Sequence, residues 1–182
     1  MAAELRETVP DLEGEKWRDA YDTICDYYRL ALFNSLYCGK RLGRASAANL
    51  ALEISIAILA TIVAGLTALK DPLVGPTAIT LMAVATAVLS AIKPVLRTGD
   101  SVAKYAGQHG GYKDIFLAYQ DLIAFIRVEK RVTVSAWREH EALSRRYRAL
   151  AVASDPNPSA KFREALKQEV ELQIPVKHLK IA

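Results

Sequence analysis

The chain has 182 residues, of which 52% are hydrophobic and 24% charged, and its formal net charge is +4. That length bounds one ordinary domain, or one helical hairpin with flanking helices. The averages hide an asymmetry: charge is nearly absent from Ala45 to Ile92 and dense elsewhere, a block structure that argues against an evenly mixed soluble domain.

Residues 1–13, with Pro10 as punctuation, open the chain without a periodic pattern. From about Gly14, the residues Trp17, Tyr21, Ile24, Tyr28, Leu32 and Leu36 recur at three- and four-residue steps and mark one apolar helix face. Asp19, Asp22, Asp26 and Arg29 occupy the other faces. Gly39 and Gly43 flank a basic stretch where this helix either bends or continues as one long rod. Residues 1–44 are therefore predicted to be an amphipathic cytosolic helix.

Two apolar runs follow. The run 45–69 carries one charge, Glu53; the run 73–92 carries none; Lys70-Asp71-Pro72 separates them. A helix crossing a bilayer core needs roughly 20 predominantly apolar residues. Ile54 to Leu69 reads ISIAILATIVAGLTAL, with only Ser and Thr as polar residues. Their hydroxyls bond back to helix carbonyls and are tolerated in lipid, whereas a soluble helix keeps a polar face. The pattern predicts a transmembrane helical hairpin within 45–97, with spans 45–69 and 73–93. A cleaved signal peptide is not expected with about 44 residues ahead of the first run. Lys40, Arg41 and Arg44 precede the hairpin, Lys93, Arg97 and Lys104 follow it, and the charges at its tip cancel. The positive-inside rule then puts both termini in the cytoplasm. Attraction of these basic residues to anionic lipid accounts for a pI near 9.1 without a nucleic-acid partner. Cys25 and Cys38 fall on the reducing side and read as free thiols.

Pro94 ends or kinks the second run, and Thr98-Gly99-Asp100 reads as a short turn. Gly107, Gly110 and Gly111 read as a flexible joint. The stripe Tyr112, Phe116, Tyr119, Ile123, Ile126, widened by Ile115 and Leu122, predicts a long helix carried on through Trp137 and Tyr147 towards Leu150, with one break near Thr133. Asp155-Pro156-Asn157-Pro158 is a stop. Ser159 caps a short helix through Val170, and Pro175 leads into a basic tail. Residues 98–182 are a cytosolic helical region, nothing alternates like a strand, and the fold class is an all-α membrane protein. The two amphipathic faces either pack on each other or are covered by other copies in a symmetric ring. Trp17, Tyr21, Tyr28, Tyr112, Phe116 and Tyr119 are too large to leave wet, which makes them candidate contacts between copies.

The chemistry is sparse. A hairpin with its tip near residue 73 places Glu53 level with Lys93, so Glu53 is either one half of an ion pair or a pore-lining acid. Alanines recur along both runs, at 57, 60, 64 and 68 and at 83, 87 and 91, and permit close helix approach within the hairpin or between copies. His109, His140 and His178 lie far apart and away from the cysteines, so no metal site is expected. No phosphate loop and no nucleophile with a neighbouring base is visible; neither a cofactor nor an enzymatic activity is expected. The basic residues Arg127, Lys130, Arg131, Arg138, Arg145, Arg146 and Arg148 are interleaved with Glu129, Glu139 and Glu141, which reads as a solvated face; nucleotide or lipid-phosphate binding there is left open.

An aromatic-rich helix enters a two-span hairpin, a proline-basic exit follows (Lys93-Pro94-Val95-Leu96-Arg97), then a tyrosine-bearing helix from Tyr105 and Gly111-Tyr112 through Tyr119-Gln120-Asp121-Leu122-Ile123. This order, over roughly Trp17 to Leu150, resembles the SLATT family of two-transmembrane effector domains from bacterial nucleotide-second-messenger systems. The resemblance implies a multi-pass protein of the bacterial inner membrane that forms pores or perturbs the membrane in anti-phage defence, acting as a homo-oligomer when a partner protein makes or senses a nucleotide signal. No sensor domain is expected within these 182 residues, so the resemblance assigns sensing to the cytosolic helices or to that partner.

Overall fold

The computed structural model describes residues 15–69, 76–96, 98–152 and 159–179. The expected loose start at 1–13, the tip Lys70-Asp71-Pro72, Arg97 and the stop Asp155-Pro156-Asn157-Pro158 lie outside the described residues. Six helices follow in order: α1 (Glu15–Leu69), α2 (Pro76–Leu96), α3 (Thr98–Glu129), α4 (Val134–Val152), α5 (Ala160–Gln173) and the single turn α6 (Val176–Leu179). No strand occurs among the described residues, so the fold is all-α.

α1 runs unbroken for 55 residues, through Gly39 and Gly43. Each glycine costs about 1 kcal/mol of helix propensity, too little to interrupt a helix propagated from both sides. α3 likewise starts at Thr98, so Thr98-Gly99-Asp100 forms its first turn rather than a separate one. Nor is there a joint at Gly107, Gly110 and Gly111: all three lie inside α3. Gly111 has a packing reason, since a Cβ there would come within 2.8 Å of Leu150 Cδ1, and its absence lets α4 approach. The break expected near Thr133 is present. Lys130 adopts a left-handed φ of 53° just after α3, and Thr133 Oγ1 accepts from the Ala136 N–H at 3.2 Å to start α4. Ser159 caps α5, accepting from the Phe162 N–H at 3.4 Å. α5 runs to Gln173, three residues past the expected end, and α6 follows Pro175.

The chain divides into two compact units: residues up to Cys38 together with those from Gln108 onward, and Gly39–Gly107. In the first, the amphipathic parts of α1 and α3 pack antiparallel, with Tyr28 stacked on Phe116 at 4.8 Å. α4 returns along α3, placing Tyr147 at 5.5 Å from Tyr112 and His140 beside Tyr119. α5 lies on α1 through Tyr37 against Phe162 at 5.7 Å and an Arg29–Glu171 ion pair. Ile24, Ile115, Ile126 and Leu166 are fully buried between these helices. Each such side chain contributes about 1.5–3 kcal/mol by leaving water.

In the second unit, α1 includes a stretch long and apolar enough to cross a membrane, and none of that stretch is buried. The apolar part of α2, Thr77–Lys93, is shorter. Half-buried positions recur on α1 at Asn49, Leu52, Ile56, Leu59, Val63 and Leu66, and on α2 at Ile79, Met82, Thr86, Leu89 and Lys93. These three- and four-residue steps are the seam of an antiparallel helix pair. The alanines are not in it: Ala57, Ala60, Ala64, Ala83, Ala87 and Ala91 are exposed. Each occupies the position following a seam residue or the one beside it. Because the helices run antiparallel, the two small-residue rows flank the seam on the same side.

Candidate functional site

Within the apolar stretches the one acid is Glu53, and the helix pairing brings it to a cation. Lys93 Nζ donates to Glu53 Oε1 at 2.9 Å, and Asn49, one turn earlier on α1, donates through Nδ2 to the same oxygen at 3.1 Å. Glu53 therefore has an opposite charge and an amide on it, and among the described residues no second acid contacts this pair. Around this pair the hairpin is aliphatic: Leu50, Ile54, Ile58 and Ile62 on α1 and Leu81, Val84, Val88 and Ile92 on α2 are all exposed. Ser55, Thr61, Thr67 and Thr86 each return their hydroxyl to the carbonyl four residues earlier. The exposed surface thus carries almost no unsatisfied polarity, the condition that a hydrocarbon solvent imposes.

The six aromatic residues proposed as contacts between copies sit elsewhere. Tyr21, Tyr28, Tyr112 and Tyr119 are buried in the bundle of the first unit, and Trp17 and Phe116 pack against that core half-buried. The apolar faces of α1 and α3 pack on each other within one copy, which covers the four tyrosines and leaves Trp17 and Phe116 half-exposed at the edge of that core.

The bundle also holds a polar seam that periodicity alone does not disclose. His140 lies buried on the inner face of α4, its Nδ1 3.1 Å from the Tyr119 hydroxyl, with the Tyr27 ring edge-on at 5.2 Å and Trp137 at 4.8 Å. Asn34 donates to the Tyr147 hydroxyl. His109 donates from Nδ1 to the Ser35 carbonyl at 2.9 Å. Burial pushes the Tyr147 phenol up to about 12 and the Cys25 thiol up to about 11, so both stay protonated at neutral pH. A thiol held so high is a poor nucleophile. Cys25 and Cys38 are free and buried.

His140 is held below the usual histidine range chiefly by burial, which outweighs the opposing Glu141 carboxylate; Arg148 adds to the lowering. The unfolded chain therefore binds a proton more readily than the folded one. Stability from this residue is complete above about pH 6.5 and is lost as pH falls towards the lower folded value. The melting temperature is expected to drop between pH 7 and 5, and His140→Gln is expected to flatten that slope. An unchanged slope would assign the acid sensitivity to other groups.

A groove of about 810 Å³ runs between α1 and α5. Its cations Arg29, Arg163 and Lys167 are matched by Asp26, Glu164 and Glu171, over a floor of Leu30, Phe33 and Val170. Such a balanced rim has no net field to concentrate a phosphate. Among the described residues no three His, Cys, Asp or Glu side chains converge as metal ligands would.

Comparison of the chain with protein-family models, curated proteins and solved structures finds no match. The buried polar pairs were within reach of sequence reasoning in one respect. Ala136, His140, Leu143, Tyr147 and Leu150 keep a four-three rhythm, which places His140 on the apolar face of α4. Their partners, twenty to over a hundred residues away, carry no local signal.

Proposed function

We propose that the chain is a two-span protein of the bacterial inner membrane, with both termini cytoplasmic, that assembles as a homo-oligomer and acts as a pore-forming or membrane-disrupting effector. The observation that carries the membrane part is the exposure of eight large aliphatic side chains on α1 and α2 (Leu50, Ile54, Ile58, Ile62, Leu81, Val84, Val88 and Ile92). Monomeric soluble proteins do not leave a continuous apolar surface of that kind in water. The apolar part of α2, Thr77–Lys93, gives about 25 Å of helix at 1.5 Å per residue, at the short end of the roughly 17–25 residues that a spanning helix uses. Two helices cannot enclose water, so any conducting path needs several copies. The outward alanine rows support close approach of neighbouring hairpins in lipid, where small residues drive packing. The defence setting, and a partner that makes or senses a nucleotide signal, rest on the resemblance to the SLATT family.

A second reading has its own support. Among the described residues of its apolar stretches the hairpin carries one charge pair, Glu53 with Lys93, amid aliphatic side chains, which suits a membrane anchor that docks a partner through the helical bundle. Purified full-length protein reconstituted in vesicles separates the two. The effector reading expects dye release and planar-bilayer current once the protein is activated or overloaded, and depolarisation with growth arrest in cells. Protein that is inserted and oligomeric yet passes neither dye nor current leaves the anchor. Topology is tested by an impermeant thiol reagent on intact cells: a cysteine placed at Asp71 is expected to react and one at Ala2 is not. The reverse labelling would overturn the orientation.

A further inference from the structure

The bundle buries one face of each helix, and what it leaves outside differs sharply between α3 and α4. On α3 the residues Tyr112, Ile115, Tyr119, Leu122 and Ile126 point into the core. At 100° per residue, the stripe Asp114, Leu117, Asp121, Phe125 and Val128 lies on the opposite side. Leu117 is 46% exposed, Phe125 44% and Val128 81%. This is an apolar strip with two acids set along it. On α4 the core side is Ala136, His140, Leu143 and Tyr147, and the opposite side carries Arg138, Arg145 and Arg148 with one acid, Glu141, and the small residues Ala142 and Ala149. Asp114, Asp121, Arg138 and Arg145 make no ion pair with any described residue.

The two stripes match in register. Asp114 and Asp121 are seven residues apart, and so are Arg138 and Arg145, about 10.5 Å in each case. Ala142 and Ala149, also seven apart, leave the space that Leu117 and Phe125 fill. We infer that the outer face of α3 in one copy docks on the outer face of α4 in the next, with Asp114 and Asp121 against Arg138 and Arg145 and the apolar strip closed over the alanines. The two faces are different surfaces of one chain, so the contact is heterologous and propagates to a ring when the rotation closes. This deepens the oligomeric reading above and depends on it for its setting. It places the contact on a solvent-facing pair of stripes rather than on the aromatic residues, which are buried or half-buried within each copy.

The test uses the full-length protein in detergent, with vesicle flotation run in parallel. Asp121→Arg and Arg145→Asp are each expected to weaken self-association by at least about tenfold, since like charges then face each other, and the double reversal is expected to restore it. A chain carrying both Asp121→Cys and Arg145→Cys is expected to give a ladder of oxidised species, while each single cysteine gives none, because equivalent positions do not meet in a heterologous contact. Circular dichroism confirms that the variants remain helical. An oligomer untouched by either reversal, a double reversal without recovery, or a dimer from a single cysteine would each overturn the interface. So would an Arg145→Asp variant whose only defect is weaker binding to anionic vesicles, which would assign the α4 face to lipid headgroups. Flotation of the variants with vesicles separates loss of this contact from loss of membrane insertion.

Discussion

Tyr119→Ala is expected to lower the melting temperature of the helical bundle by about 10 °C or more, the consequence of losing about 3–5 kcal/mol from a buried aromatic position. Tyr119 is fully buried where α1, α3 and α4 meet, its ring centroid 6.2 Å from that of Tyr27 and its hydroxyl on His140. Truncation opens a cavity and leaves the His140 nitrogen without its phenol. A domain stable by about 5–15 kcal/mol has little margin for such a loss. Tyr119→Phe separates the contributions: it keeps the packing, removes one hydroxyl, and is expected to cost about 1–3 kcal/mol through the unsatisfied imidazole. Thermal melts followed by circular dichroism read both. An alanine variant that melts within a couple of degrees of the parent would remove Tyr119 from the core and return the aromatic stripes to the surface.

The same residue shows where sequence reading stopped. The stripe from Tyr112 to Ile126 was legible as a helix face because a 3.6-residue period needs only neighbours in sequence. Whether that face meets α1 of the same chain or another copy is a tertiary question, and two amphipathic helices answer it identically in sequence. The level pairing of residues 53 and 93 was legible because an antiparallel hairpin with a short tip leaves one register. The alanine rows were legible as small-residue stripes, but their side was not. Leu52, Ile56, Leu59, Val63 and Leu66 form an equally regular row, and in an all-apolar segment hydropathy does not tell seam from outer surface. The glycines of α3 misled for a physical reason: helix propensity is a weak prior, and at Gly111 the missing Cβ serves the approach of Leu150 rather than flexibility. The basic residues of α4 read in sequence as an ordinary solvated face, and the outer stripe of α3 stands out only once the inner face of that helix is known.

Glu53→Gln and Lys93→Gln are each expected to reduce the amount of inserted, assembled protein several-fold, and the double change to recover most of it. The size of the effect depends on the solvent around the pair. The pair is half-exposed on the hairpin surface, Lys93 Nζ 2.9 Å from Glu53 Oε1. In water such a pair is worth little, because both ions are solvated when separated and screened by salt. In hydrocarbon, removing one partner leaves the other with neither a counter-charge nor water, and the cost falls on insertion itself. Strong coupling between the two positions is therefore a signature of lipid around the hairpin, and its absence is a signature of water. The same series addresses conduction. An acid already held by Lys93 and Asn49 does not present a free ring of negative charge to permeating ions. Cation selectivity in planar bilayers is accordingly expected to be the same for the parent and the double variant. If Glu53→Gln leaves assembly intact but lowers cation conductance, and Lys93→Gln raises it, the acid faces the conducting path and the ion pair is a device for setting its charge rather than for holding the helices together.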